Sequence, residues 1–169
     1  TGNVVSMAIN RYMYVTVNRR FDDAIRVSYT RTEMVDRVDD LQHELIREAL
    51  RMVGVSSGIE LTTIADLPAG IGLGSSSSLT VGVLNALYAF RGQRRSPDEL
   101  ARQACEIEID VLKRPIGKQD QYIAAHGGLQ DIFFNVDGSV LVHPVLCSRE
   151  SRDRLQRRLM LFYTGIQRE

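Results

Sequence analysis

Leu67-Pro68-Ala69-Gly70-Ile71-Gly72-Leu73-Gly74-Ser75-Ser76-Ser77-Ser78 separates a strand-like run, Ile59 to Ala65, from a strongly apolar run, Leu79 to Phe90, that reads as a buried helix. Gly70, Gly72 and Gly74 stand at every second position and remove side chains where backbone must approach something closely. The serines then open the helix, where unpaired N–H groups and the helix dipole favour an anion. A loop of this kind between a strand and a helix is suited to holding phosphate. No Gly-Lys-Ser/Thr follows, so it is not a Walker A loop. The G-x-G-x-G spacing with Ser75 next is not the dinucleotide fingerprint either. A tight turn capped by serine is the structural alternative, and Pro68 with the three glycines and the serine run weighs against it.

Downstream, Ser96-Pro97-Asp98-Glu99 is a helix start: Ser as N-cap, Pro in the first turn, Glu three residues after the cap. The helix is expected to reach about Leu112. At roughly 100° per residue, Leu100, Ala101, Ala104, Cys105, Ile107, Val111 and Leu112 cover one apolar arc. Glu108 falls near the middle of that arc, while Glu106 and Asp110 fall outside it. A carboxylate facing a core is costly unless it is paired, hydrogen-bonded or bound to a cation. Glu108 is therefore either half of a buried ion pair or a metal-binding or catalytic group. Further on, Asp120 stands in Pro115-Ile116-Gly117-Lys118-Gln119-Asp120-Gln121-Tyr122, before a short helix expected near Gln121 to Ala125. Taken alone, an Asp at that place is an N-cap.

Pro68-Ala69-Gly70-Ile71-Gly72-Leu73-Gly74-Ser75-Ser76 resembles the second signature motif of the GHMP superfamily, the kinases named for galactokinase, homoserine kinase, mevalonate kinase and phosphomevalonate kinase. The resemblance implies that the loop, from Pro68 and Gly70 through Gly72, Leu73, Gly74 and Ser75 to Ser76, wraps the phosphates of ATP, and that Ser76 helps to hold Mg2+. Glu108, Pro115, Gly117 and Asp120-Gln121 resemble the sugar-kinase segment in which the Glu holds magnesium and the Asp is the catalytic base. Lys118 then either lowers the Asp120 pKa, or holds phosphate, or is a plain surface lysine. Ile116 to Ala125 followed by Gly127-Gly128-Leu129 is most similar to the sugar-1-kinases of the heptose-phosphate type. The implied reaction is ATP-dependent phosphoryl transfer to a sugar or sugar phosphate, at the anomeric hydroxyl of a heptose 7-phosphate. The alternatives are another GHMP kinase, of galactose, mevalonate or homoserine type, or a nucleotide-binding module without catalysis. The implied fold is α+β, with an N-terminal domain like domain 2 of ribosomal protein S5 and a ferredoxin-like C-terminal domain. Two departures stand out: the family's first motif, a basic and glycine-containing substrate segment, and its third, a glycine-rich C-terminal loop, are absent from these residues.

The remainder of the sequence is consistent with that class. Val4 to Val17 and Ile25 to Thr30 carry strand-like density, and Leu41, Leu45, Ala49, Met52 and Val53 place a helix over Asp40 to Val53 that ends at Gly54. A hairpin is expected around Asn135 to Gly138, a short helix over Arg149 to Gln156, and a last strand over Leu159 to Tyr163. Strands and helices mix without βαβ alternation, which favours α+β. The 169 residues fit one domain or a large piece of one, with 44% hydrophobic and 25% charged residues. Residue 1 is Thr and both ends sit in strand pattern, so residues 1–169 are expected to be the ATP-binding N-terminal domain of a longer kinase. The 21 basic residues balance the 21 acidic ones, which argues against nucleic-acid and membrane-surface partners. All the basic residues except Lys113 and Lys118 are arginine, and the arginines are scattered. No apolar run approaches the length of a membrane span. Cys105 and Cys147 lack metal-site spacing and read as buried thiols, in keeping with a cytoplasmic location. His43 is placed on the polar side of its helix, with His126 and His143 at element ends, and none has a metal-ligand partner.

Overall fold

Alternating inward residues divide the strands of this protein between two sheets. The structure, a computed structural model, describes residues 2–68, 70, 72–160 and 162. The run expected to be strand-like from Val4 to Val17 is two strands in different sheets, β1 (Gly2–Met7) and β2 (Met13–Arg19). The chain turns between them because its backbone finds other partners. Ala8 N–H donates to the Gly128 carbonyl, and Tyr12 N–H donates to the Asp66 carboxylate, each at 2.8 Å.

The larger sheet has the order β2-β5-β3-β4, with β3 (Ile25–Ser28), β4 (Thr32–Val35) and β5 (Ile59–Ala65). The β3–β5 pair is parallel and the other pairs are antiparallel. Helix α1 (Glu44–Val53) fills the crossover from β4 to β5 and buries Leu45, Ile46, Ala49, Leu50 and Val53. It begins at Glu44 rather than Asp40. A single 3-10 turn covers Val38–Asp40, and buried Leu41 is extended, with its carbonyl accepting from Arg47 Nη1 at 2.8 Å. The expected stop holds: Gly54 caps α1 in the left-handed region.

Helix α2 (Ser75–Phe90) buries residues around its circumference, including Leu79, Val81, Val83, Leu84, Leu87 and Tyr88, as its apolar composition requires. It presses closely on β2, since a Cβ at Gly82 would lie 3.2 Å from Val15 Cγ2. Helix α3 (Pro97–Cys105) opens with the expected Ser96–Glu99 capping box. The α-helix expected to continue to Leu112 instead widens into a π-helical segment, Glu106–Val111, in which Leu112 N–H reaches back to the Ile107 carbonyl at 3.0 Å. The wider turn changes the phase of the apolar arc. Val111, expected inside, is 49% exposed, while Ile107 and Glu108 are both buried.

Helix α4 (Gln119–His126) precedes the second sheet, order β1-β6-β7, which contains β6 (Leu129–Phe134) and β7 (Val140–Pro144). The β6–β7 hairpin closes through Asn135–Ser139 with Gly138 at positive φ, as its Asp-Gly pair requires. Ala101, Cys105, Tyr122 and Ile132 form a small core under this sheet, apart from the main core around α1 and α2. Helix α5 (Arg149–Gln156) follows with Ser148 as its cap. The last expected strand is not seen: Leu159, Met160 and Phe162 lie outside any strand, and Leu161 and Tyr163 lie outside the described residues. The architecture is α+β.

Candidate active site

Glu108 is 0% exposed, and its carboxylate accepts four hydrogen bonds from uncharged groups. Thr80 Oγ1 (2.7 Å) and Ser76 Oγ (3.2 Å) donate to Oε1; Gln121 Nε2 (2.6 Å) and Ser77 Oγ (3.0 Å) donate to Oε2. Three elements meet to make this cage. Ser76, Ser77 and Thr80 lie on the first turns of α2, where positions i and i+4 share a face. The π-helical segment after α3 turns Glu108 inward, and the first turn of α4 supplies Gln121. The charge thus sits close to the positive end of the α2 dipole. Hydrogen bonds to an ionised acceptor each contribute about 1.5–3 kcal/mol.

Asp120 and Gln121 are neighbours on α4 and differ in burial. Gln121 is buried against Glu108, whereas Asp120 is exposed and packs on the glycine loop. A Cβ at Gly74 would lie 3.4 Å from Asp120 Cβ and Cγ and 3.5 Å from Oδ2. Gly74 has φ +70°, a left-handed backbone that favours glycine, and a side chain there would touch Asp120 in ordinary contact. Beside them runs a groove of about 630 Å³ whose lining includes Tyr12, Gly72, Leu73, Ser75, Asn85 and Asp120. Gly70 and Gly72 also have positive φ, and Pro68 and Gly70 are exposed. Ala69 and Ile71 of the same loop lie outside the described residues.

The folded chain therefore brings Gly72 to Ser76, Glu108 and Asp120 to one end of α2. The buried-ion-pair alternative for Glu108 does not hold, because all four of its hydrogen-bond donors are neutral. The N-cap alternative for Asp120 does not hold either: Asp120 lies inside α4, whose N-cap is Lys118. Lys118 turns away from the glycine loop. Its Nζ donates to the Gly138 carbonyl at 3.3 Å, and it lines a separate groove with Cys105 and Tyr122.

The donor set fits magnesium. A carboxylate and a hydroxyl are hard oxygen ligands, and this ion takes one or two carboxylates together with substrate phosphates rather than an all-protein cage. Gln121 Oε1, on the side chain that holds Glu108, is buried without a hydrogen-bond partner and adds another oxygen there. Among the described residues no group of three or more His, Cys, Asp and Glu is placed to hold a metal. The sequence assigns no site role to Thr80 or Arg114, and it marks Ser77 and Gln121 only as parts of the serine run and of the Asp120-Gln121 segment. The signal for Thr80 was a polar residue four positions after Ser76 in an apolar helix. Arg114, whose Nη1 donates to Ser76 Oγ at 2.6 Å, gave no signal among scattered arginines.

Other titratable groups stand outside this site. Burial pushes the Cys105 thiol up to about 12, which leaves it protonated and unreactive. Cys147 is half-buried, not buried as expected. His43 precedes α1 as its N-cap residue rather than lying on a polar helix face, and its ring meets Tyr29 edge-on at 4.7 Å. His126 contacts the Asp98 carboxylate at 3.1 Å. No helix among the described residues is long and apolar enough to cross a membrane.

Comparison with known proteins bears on the family and the fold. Residues 40–128 match the GHMP kinases N terminal domain. The chain is 29% identical to D-glycero-alpha-D-manno-heptose 7-phosphate kinase of Campylobacter jejuni, over 100% of this chain and 53% of that protein. It is also 29% identical to a mevalonate kinase of Methanothermobacter thermautotrophicus, over 74% of this chain and 41% of that one. Among solved structures, a D-glycero-D-manno-heptose 1-phosphate kinase from Bacteroides thetaiotaomicron superposes with a TM-score of 0.84 at 30% identity, covering 91% of this chain and 54% of that chain. Lactococcus lactis galactokinase, at 19% identity and a TM-score of 0.69, covering 97% of this chain and 54% of its own, shares the fold. The chain spans about half the length of the curated relatives it matches first. With the glycine loop, the buried glutamate and the superposed fold in agreement, the chain belongs to the GHMP kinase family, of which it contains the N-terminal domain.

Proposed function

We propose that this chain is the nucleotide-binding part of a longer, cytoplasmic, ATP-dependent kinase that phosphorylates a sugar phosphate, at the anomeric hydroxyl of a heptose 7-phosphate. The observation that carries the proposal is the convergence of Gly74, Ser76, Glu108 and Asp120 at the N-terminus of α2. The similarity to heptose phosphate kinases over nearly the whole chain supports the substrate class.

In this reading the left-handed glycines and the free N–H groups of the first α2 turn bind the ATP phosphates. Ser76 and Glu108 would hold magnesium, with Ser77, Thr80 and Gln121 fixing the carboxylate. When bound, the ion supplies charge neutralisation at the phosphates during transfer. The sugar lies in the groove beside Asp120. Asp120 orients the acceptor O–H and takes its proton as that oxygen bonds to the γ-phosphorus and the bond to the β-phosphate oxygen breaks, releasing ADP. The groove walls hold the acceptor in line, which converts a bimolecular encounter into a positioned one.

Asp120→Asn in the full-length protein is expected to lower kcat by about 10²–10⁴-fold while leaving ATP affinity nearly unchanged. Product-mass analysis with heptose 7-phosphate, galactose, mevalonate and homoserine as acceptors tests the substrate. Transfer to mevalonate or homoserine alone would contradict the sugar assignment, and full turnover by the Asn variant would remove Asp120 from the chemistry.

A further inference from the structure

Ser76 Oγ stands between a negative and a positive charge. It donates to Glu108 Oε1 at 3.2 Å and accepts from Arg114 Nη1 at 2.6 Å. Arg114 is placed for this by its own backbone, whose N–H donates to the Glu108 carbonyl at 3.0 Å. Its side chain is about one-third exposed, and Nη2 lies 3.9 Å from Glu44 Oε2, a carboxylate on the first residue of α1. A guanidinium at the positive end of α2 is misplaced with respect to the helix dipole. It is balanced there by the Glu108 charge, one hydroxyl away.

A hydroxyl oxygen has one proton and two lone pairs. With its proton on Glu108 and a lone pair on Arg114, Ser76 Oγ is engaged on both sides. A divalent ion shared by Ser76 Oγ and Glu108 Oε1 would approach each at about 2.1 Å. That brings it within a few ångströms of the guanidinium, where two cations repel strongly. Glu44 offers Arg114 a place to go, and a carboxylate matches the guanidinium fork better than a single hydroxyl does.

We propose that Arg114 is a positioning residue that acts through Ser76: it occupies the metal-facing side of Ser76 Oγ as a stand-in cation for Glu108, and divalent metal must displace it toward Glu44. The inference rests on the magnesium role proposed above for Ser76 and Glu108. Two effects follow. Arg114 lowers the metal affinity of the site, and it supports the metal-free protein by balancing Glu108.

The test uses manganese(II) as an EPR-visible probe, titrated into the full-length protein with ADP present, for the wild type, Arg114→Gln and Arg114→Lys. Arg114→Gln is expected to bind manganese about five- to tenfold more tightly than the wild type, with Arg114→Lys in between. In EDTA the Gln variant is expected to melt at a lower temperature than the wild type, and saturating manganese is expected to close the gap. Circular dichroism confirms that each variant is folded. Unchanged or weaker manganese binding by a folded Arg114→Gln would overturn the inference and leave the kinase proposal standing. A wild type that binds no manganese with ADP would overturn both.

Discussion

Among the described residues two glutamates are buried, and they are held in different ways. Glu48, in α1, is 9% exposed and meets arginines directly: Arg51 Nη1 at 2.6 Å and Arg47 Nε at 3.1 Å. Arg51 continues to Asp39 at 2.6 Å, and Arg47 Nη1 also donates to the Leu41 carbonyl. The network around α1 is closed, with each charge answered nearby. Glu108 is more deeply buried and is held by three hydroxyls and an amide, with an arginine only beyond one of those hydroxyls. Dipoles can stabilise a negative charge without cancelling it. A carboxylate that only has to be tolerated is given a counter-ion by its own helix. One held by dipoles still attracts a cation from outside.

The sharpest way to break this contrast is to neutralise each glutamate in turn. Glu108→Gln in the full-length protein is expected to lower kcat by about 10²–10³-fold, the scale of losing one electrostatic stabiliser of a transition state. It is also expected to abolish the rise in melting temperature that magnesium and nucleotide give. Steady-state kinetics and thermal melts read both, and an unaltered magnesium response would place the metal elsewhere. Glu48→Gln is expected to do the reverse, leaving kcat within about twofold and lowering stability by about 1–2 kcal/mol in urea unfolding. The loss is small because Arg51 is 44% exposed and water screens its charge.

The smallest effect belongs to the α1 region and is one of pH. Burial holds the His43 imidazole below its ordinary 6.5, so the fold prefers the neutral ring. The unfolded chain takes up the proton first as pH falls. The contribution is therefore complete above pH 6.5 and is lost as pH falls below it. Between pH 7.5 and 5.5 the wild type is expected to lose more stability than His43→Phe, measured by urea unfolding. That variant keeps an aromatic ring beside Tyr29 and removes the titration. An identical pH slope for both proteins would exclude His43 as the source.

What could be read beforehand was what local chemistry dictates. The Ser96–Glu99 capping box and the Gly54 stop depend on a few neighbouring residues, and both are where the sequence placed them. The inward position of Glu108 followed from helical phase, and Glu108 is fully buried. What escaped depends on partners far along the chain. The break between β1 and β2 is set by Gly128 and Asp66. The edge strand β4 has only four residues, with two of them exposed, too weak a pattern to stand out. The π-helical segment keeps Ile107 and Glu108 buried but turns Val111 out to solvent, a change of phase that a simple α-helical arc does not express. Arg114 could not be told from other arginines until Ser76 was seen beside it.

The pairing of the first strand also sets an order of assembly. Gly2 to Met7 lie opposite Phe134 to Leu129, so a chain emerging from the ribosome must extend from Met7 as far as Leu129 before β1 begins to find its neighbour. At a typical rate of synthesis that delay is on the order of ten seconds. Every residue of the Glu108 cage lies between Ser76 and Gln121 and is made before β6. Val5 and Met7, which wall the groove beside Asp120, have no settled place until β6 arrives. The nascent protein thus acquires the Glu108 corner early and the groove beside Asp120 late, and the growing chain carries β1 unpaired until β6 has emerged.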